Sequence, residues 1–203
     1  MISGTIDDAD GFNINNGDDF FFLSSSFVRA TGINDEAITV QNGADVRSVV
    51  TAAGDVIGNR VGIELDGSDV LVVSQTGNVV SERAFGIRTI EGDNEVIVSG
   101  TVVGTDSGVE LDGANDRLTI TETGIVSGAL DSDIAFRPAG VNMRGDNNIL
   151  ENAGTIIAGA NGNGRPAVTN RESIFGDDDD DLDATVILTG EQEHITEDVA
   201  GVD

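Results

Sequence analysis

The sequence predicts an all-β chain folded as a single parallel β-solenoid of about five to six coils, each of about 23 residues. Two columns of residues carry that expectation. Glycines recur at Gly54, Gly77, Gly100, Gly124 and Gly154, with spacings of 23, 23, 24 and 30. Two positions after each of them stands a β-branched aliphatic residue: Val56, Val79, Val102, Val126 and Ile156. In the second column, GIELDG, GIRTIEG, GVELDG and GVNMRG place Ile63, Ile87, Val109 and Val141 directly after Gly62, Gly86, Gly108 and Gly140. One such copy cannot bury its apolar side alone, whereas stacked copies align like residues on like.

Each copy resolves into three short strands. In GVELDGANDRLTITETGIVSG, residues 108–128, GVELD reads as the first strand, GAND as a corner and RLTIT as the second strand. TGIVSG then supplies a Gly corner and the third strand. Segments this short, with glycine this frequent, do not suit helices of ordinary length. Parallel coils stacked about 4.8 Å apart give each backbone group a partner above or below. The general preference of parallel crossovers assigns the right hand.

Along the chain, residues 1–36 read as an N-terminal cap or first coil, because DFFFLSSSFV at 19–28 holds four of the eight phenylalanines. Residues 37–160 hold the coils, with VQNGADVRSVV at 40–50 as a degenerate copy. Residues 161–190 hold the last coil and an acidic corner, and 191–203 form a flexible polar tail. The connections at 128–140 and 159–168 each carry one of the two prolines and read as loops bulging from corners.

Thirty-seven acidic residues stand against ten basic ones, all of them arginine, for a net charge of −27. Such a surface repels nucleic acid and anionic membranes at long range, so neither is expected as a partner. The absence of cysteine excludes disulfides and thiolate chemistry. Tryptophan and tyrosine are absent too, which suits thin layers of Val, Ile, Leu and Ala. MISGTIDDADGF has neither a basic nor an apolar leader region, and no apolar run approaches the ~20 residues that span a bilayer. On these features the protein is cytosolic, or leaves the cell by a route without an N-terminal signal, or is excised from a longer chain, and it is not inserted in a membrane. An extracellular or cell-surface location is what the resemblances below imply.

The acidic corners LDGSD, EGDNE, LDGAND and RGDNN place Asp66, Asp69, Asp93, Asp112, Asp116 and Asp146 at stacked turns. Asp177 and Asp179 fall in the run FGDDDDDLD. Calcium takes six to eight hard oxygen ligands, so these eight are the candidate metal ligands and calcium the one candidate cofactor. The competing reading is that Asn, Asp and Gly tolerate the backbone angles of tight corners, and that the aspartate run is a solvated loop. No catalytic residue is assigned: the lone His194 lies in the polar tail. A sugar-processing site would draw on Arg88, Arg117 and Arg144 at coil faces or corners, while Arg60, Arg83, Arg137, Arg165 and Arg171 read as counter-charges. An ice-binding rank would need T-x-T in every coil; Thr119 and Thr121 face VLVVS, EVIVS and NILEN in the others.

DGANDRLTI resembles the Gly- and Asp-rich nonapeptide of RTX proteins, whose loops bind calcium between coils. The tandem nine-residue period and GG pairs of that family are absent, so the resemblance covers single corners. The longer coil, with its G-x-[VI] segments, is similar to the passenger domains of bacterial autotransporters and other secreted adhesins over about residues 37–160. These resemblances imply a structural or adhesive module of an extracellular bacterial protein. Such a module would self-associate through its coil ends, as a filament or surface layer, or bind a cell-surface carbohydrate partner. The alternative is a carbohydrate-active β-helix, such as a phage tail-spike domain or a polysaccharide lyase.

Overall fold

The computed structural model describes residues 1–15, 17–41, 46–128, 139–158, 167–170 and 185–188, and every regular element among them is a β-strand. A first rung is built from β1 (Thr5–Asp8), β2 (Phe12–Ile14) and β3 (Phe20–Phe22). The second coil contains β4 (Phe27–Ala30), β5 (Glu36–Val40) and β6 (Val49–Ala52), and the third β7 (Asp55–Gly58), β8 (Val61–Leu65) and β9 (Val70–Val73). Next come β10 (Asn78–Ser81), β11 (Phe85–Thr89) and β12 (Glu95–Val98), then β13 (Thr101–Val103), β14 (Ser107–Leu111) and β15 (Arg117–Ile120). The chain continues through β16 (Ile125–Gly128), β17 (Val141–Met143) and β18 (Ile149–Asn152). A last rung holds β19 (Thr155–Ala158), β20 (Val168–Asn170) and β21 (Thr185–Leu188).

Every third strand pairs in parallel with the next, so the chain forms three seven-stranded sheets. Sheet 1 runs from β1 to β19, sheet 2 from β2 to β20 and sheet 3 from β3 to β21. The predicted β-solenoid is therefore the observed fold, with about five regular coils between less regular end rungs. Among the described residues, no helix is long and apolar enough to cross a membrane.

Both sequence columns reappear as strand register. In sheet 1, Val56 pairs with Val79, Val79 with Val102, Val102 with Val126 and Val126 with Ile156. In sheet 2, Ile63 pairs with Ile87, Ile87 with Val109 and Val109 with Val141. A third inward column in sheet 3 runs through Val50, Leu71, Val96, Leu118 and Leu150. These side chains form one continuous buried core. At its N-terminal end Phe12 meets Phe20 and Phe22 edge-on, with ring centroids 5.3 and 5.6 Å apart. Three rings thus fill the volume that aliphatic side chains fill elsewhere, at a rung with only one neighbour.

The glycine columns serve close approach more than unusual backbone angles. Among the described residues, positive φ occurs at three glycines, Gly4, Gly11 and Gly17, and at none of the column positions. A Cβ on Gly62 would stand 2.6 Å from Val79 Cγ1, and one on Gly86 2.7 Å from Val102 Cγ1. Each sheet 2 glycine therefore makes room for the branched residue of sheet 1 in the following coil. The two columns noticed separately in the sequence are one packing contact.

The left-handed backbone positions fall elsewhere. Ser68, Asp93, Asn115 and Asn147 have φ of 57, 65, 59 and 56°. Each immediately precedes the first buried residue of a sheet 3 strand approach: Asp69, Asn94, Asp116 and Asn148. Asn and Asp tolerate this region better than other residues with a side chain, which accounts for the amide-and-acid composition of the corner.

Candidate functional site

Two arrays of polar side chains run along the stack, one inside its wall and one on its outer face. The inner array follows the left-handed corner. The backbone N–H of Ser48 donates to Asp69 Oδ1 (2.8 Å), and that of Asp69 to Asn94 Oδ1 (3.1 Å). Asn94 N–H donates to Asp116 Oδ1 (2.9 Å), and Asp116 N–H to Asn148 Oδ1 (2.8 Å). Side-chain amides close the turns behind them, from Asn94 to the Glu91 carbonyl (2.5 Å) and from Asn148 to the Gly145 carbonyl (2.9 Å). All five rungs are buried, so each bond satisfies a backbone donor that water cannot reach. Asp116 also accepts the Thr89 hydroxyl (2.6 Å). Burial pushes its carboxyl up to about 6, against the lowering effect of the Thr89 and Asn94 bonds.

The outer array lies on sheet 2. Register aligns Thr39, Glu64, Arg88, Glu110 and Asn142 in one row. Arg88 reaches Glu64 (3.7 Å), Glu110 (3.5 Å) and Asp112 (2.7 Å), and its guanidinium lies 5.6 Å from the Phe85 ring centre. Arg144 contacts Glu110 (3.6 Å) and Asp112 (3.5 Å) from the following coil. Arg60 extends the chain of charges to Glu36 (2.5 Å) and Glu64 (3.5 Å). Asn142 donates to Glu110 Oε2 (2.9 Å), while Glu110 Oε1 is buried and accepts no hydrogen bond among the described residues. Burial raises the Glu110 carboxyl to about 7 in spite of Arg144 and Arg88, and raises Glu64, with Glu36 adding to the effect.

The predicted metal candidates separate between these arrays and the corners. Asp69 and Asp116 face inward and bind backbone. Asp112 belongs to the outer ion-pair chain, Asp93 occupies a left-handed corner and is exposed, and Asp146 is exposed beside the left-handed Asn147. Asp66 is half-buried, and its carbonyl accepts the Glu91 N–H (2.6 Å). Asp177 and Asp179 lie outside the described residues, as does His194. Among the described residues, no three carboxylates or imidazoles gather closely enough to enclose a cation.

Of the arginines, Arg88 and Arg144 share the partners Glu110 and Asp112 beside sheet 2, whereas Arg117 pairs with Glu151 (2.5 Å) on sheet 3. Arg83 donates to the Ile33 carbonyl (3.4 Å) and Arg60 is an ion-pair partner; Arg137, Arg165 and Arg171 are outside the described residues. Thr119 and Thr121 line a shallow recess of about 200 Å³ with Glu151 and Ile187.

The residues not singled out from the sequence are Glu64, Glu110 and Asn142. Their signal was available: in GIELDG, GIRTIEG, GVELDG and GVNMRG, the position after the aliphatic residue reads Glu, Arg, Glu, Asn. That alternation of charge down one slot is the outer row. Its chemistry is a buried clamp between coils, with one carboxyl able to take up a proton near neutrality.

Fold and arrays together define a parallel β-solenoid whose coils are tied by an internal amide-and-carboxylate ladder and an external chain of ion pairs. The chain matches no protein-family model, no curated protein and no solved structure.

Proposed function

We propose that this chain is a structural or adhesive module of an extracellular bacterial protein. The observation that carries the reading is the unbroken register of three parallel sheets, with the same residues stacked from coil to coil. A wall in which each coil is bonded to the next along its whole perimeter resists bending, and seven strands at about 4.8 Å give a rod of roughly 30 Å. The acidic outer surface keeps such a rod soluble and hydrated. A calcium contribution rests on the attraction of cations to the separate corner carboxylates Asp66, Asp93 and Asp146, which enclose no shared site. It requires a melting midpoint that rises with calcium and falls with a chelator.

A carbohydrate-active role is favoured by one arrangement. Glu110 titrates near neutrality beside Asp112, Arg88 and Arg144, on sheet 2. The chain stretches 129–138 and 159–166 both connect sheet 1 to that sheet. One experiment separates the readings: the immobilised chain is incubated with neutral and acidic polysaccharides and with bacterial cells, scoring retention and new chain ends. Saturable retention without products supports the adhesive reading. Products that disappear in Glu110→Gln would replace it with the enzymatic one, and neither signal removes both.

A further inference from the structure

Resting on that structural reading, we propose that the chain assembles head to tail, with the first rung of one copy docking on the last rung of a second copy. The acidic first rung makes this assembly depend on charge screening.

The first rung has an open side. Phe27 N–H donates to the Gly4 carbonyl (2.9 Å) and Thr31 N–H to the Asp8 carbonyl (3.0 Å). Even-numbered positions of β1 therefore face β4, and strand alternation turns the backbone groups of Thr5 and Asp7 away from the stack. Among the described strands none pairs with that side of β1 or β2. Beneath it, Ile6 and Phe12 pack on the core while only partly buried. An unpaired edge over incompletely covered apolar side chains is a template for another strand.

The far end of the same molecule fits it in polarity and register. Every strand pairing in the structure is parallel, and β19, β20 and β21 are the opposite edges of the three sheets. Continuing the register across two copies sets Ile156 on Ile6 and Val168 on Phe12, so the inward columns of sheets 1 and 2 run on, while backbone position 186 falls opposite Phe20. On sheet 3 the single bridge of Ile2 to Phe22 is exchanged for the four-residue strand Thr185–Leu188 of the second copy.

Charge decides against the head-to-head alternative. Pairing two first rungs would set β1 antiparallel to its own copy and gather the Asp7 and Asp8 of both copies at one seam, where like charges repel. Head to tail, Asp7 meets Ile157 and Asp8 meets Ala158 of the second copy. The repulsion that remains between two chains of net charge −27 is weakened by salt.

The test is sedimentation velocity on the full chain over a range of concentrations, in dilute buffer and in about 1 M NaCl, where the screening length falls to about 3 Å. The expected result is a monomer in dilute buffer and, in salt, an open series of oligomers that lengthens with concentration, as a non-closing heterologous contact requires. Ile157 is exposed, which allows a charge to be placed opposite Asp7. Ile157→Lys is expected to raise the association constant up to about five-fold at fixed salt, and Ile157→Asp to lower it similarly. Thr5→Pro, at the first residue of an edge strand, removes one outward donor and is expected to abolish association with the far-ultraviolet spectrum unchanged. A monomer under all conditions, or a dimer that grows no further and ignores both Ile157 variants, overturns the proposal. A monomer still retained on cell surfaces would leave the adhesive reading intact, whereas oligomers that retain nothing would remove that reading and leave the assembly.

Discussion

Asp116 Oδ1 accepts two hydrogen bonds from Asn94, one from its backbone N–H at 2.9 Å and one from its side-chain amide at 3.1 Å. The pair joins two adjacent coils through atoms that solvent does not reach. Carboxylate and amide alternate in this ladder, because one Oδ1 acceptor per coil is what the geometry needs.

Asp116→Ala leaves the Asn94 N–H and the Thr89 hydroxyl buried without their acceptor. The expected loss is about 2–4 kcal/mol, since each stranded buried donor costs about 1–3 kcal/mol. Asp116→Asn keeps the Oδ1 acceptor and should be far milder. Urea denaturation of both variants checks this, and equal losses would mean that the carboxylate charge is itself required.

Glu110 sets a pH dependence. Its carboxyl rises from 4.5 to about 7 on folding, chiefly through burial. The folded chain therefore binds more protons than the unfolded chain between those values, and stability falls as pH rises across that window. Glu110→Gln should flatten this decline, gaining at most about 3 kcal/mol above pH 7, the energy of a shift of that size. Chemical denaturation of both proteins at pH 5 and pH 8 reads the difference directly. An unchanged slope would refute it.

Arg88 is the shared cation of Glu64, Glu110 and Asp112. Arg88→Met retains much of the side-chain packing but strands buried acid groups, a change that costs about 3–5 kcal/mol. The cost should be larger at pH 8 than at pH 5, where Glu110 holds its proton. If the loss is the same at both pH values, Arg88 acts by packing alone.

Gly86→Ala brings a Cβ to 2.6 Å from the Gly108 carbonyl oxygen and 2.7 Å from Val102 Cγ1. A backbone atom of the next coil cannot retreat without opening the stack, so overpacking should cost about 1–3 kcal/mol. A thermal melt checks it; a midpoint equal to that of the parent chain would show that the coils can separate locally.

Much of this architecture was legible in the chain itself. Val56, Val79, Val102, Val126 and Ile156 mark a period because stacking demands the same shape at the same place. The alternation at Glu64, Arg88, Glu110 and Asn142 was equally present in the aligned segments, but a row of outward positions has no meaning until register is known. The corner aspartates misled more. Composition does not distinguish Asp93, exposed at a left-handed position, from Asp116, which points inward to bind backbone one coil away.

The sequence by itself determined the repeat, the strand lengths and the absence of thiol chemistry, because these follow from local preference and from periodic burial. Tertiary structure decided which acids are ladder rungs, which belong to the ion-pair chain and which remain in solvent. Those assignments depend on contacts between residues more than 20 positions apart, formed only when one coil lies on the next. The column glycines show the same division. Their spacing was visible along the chain, but their reason, the carbonyl and methyl groups of the neighbouring coil, exists only in the folded stack.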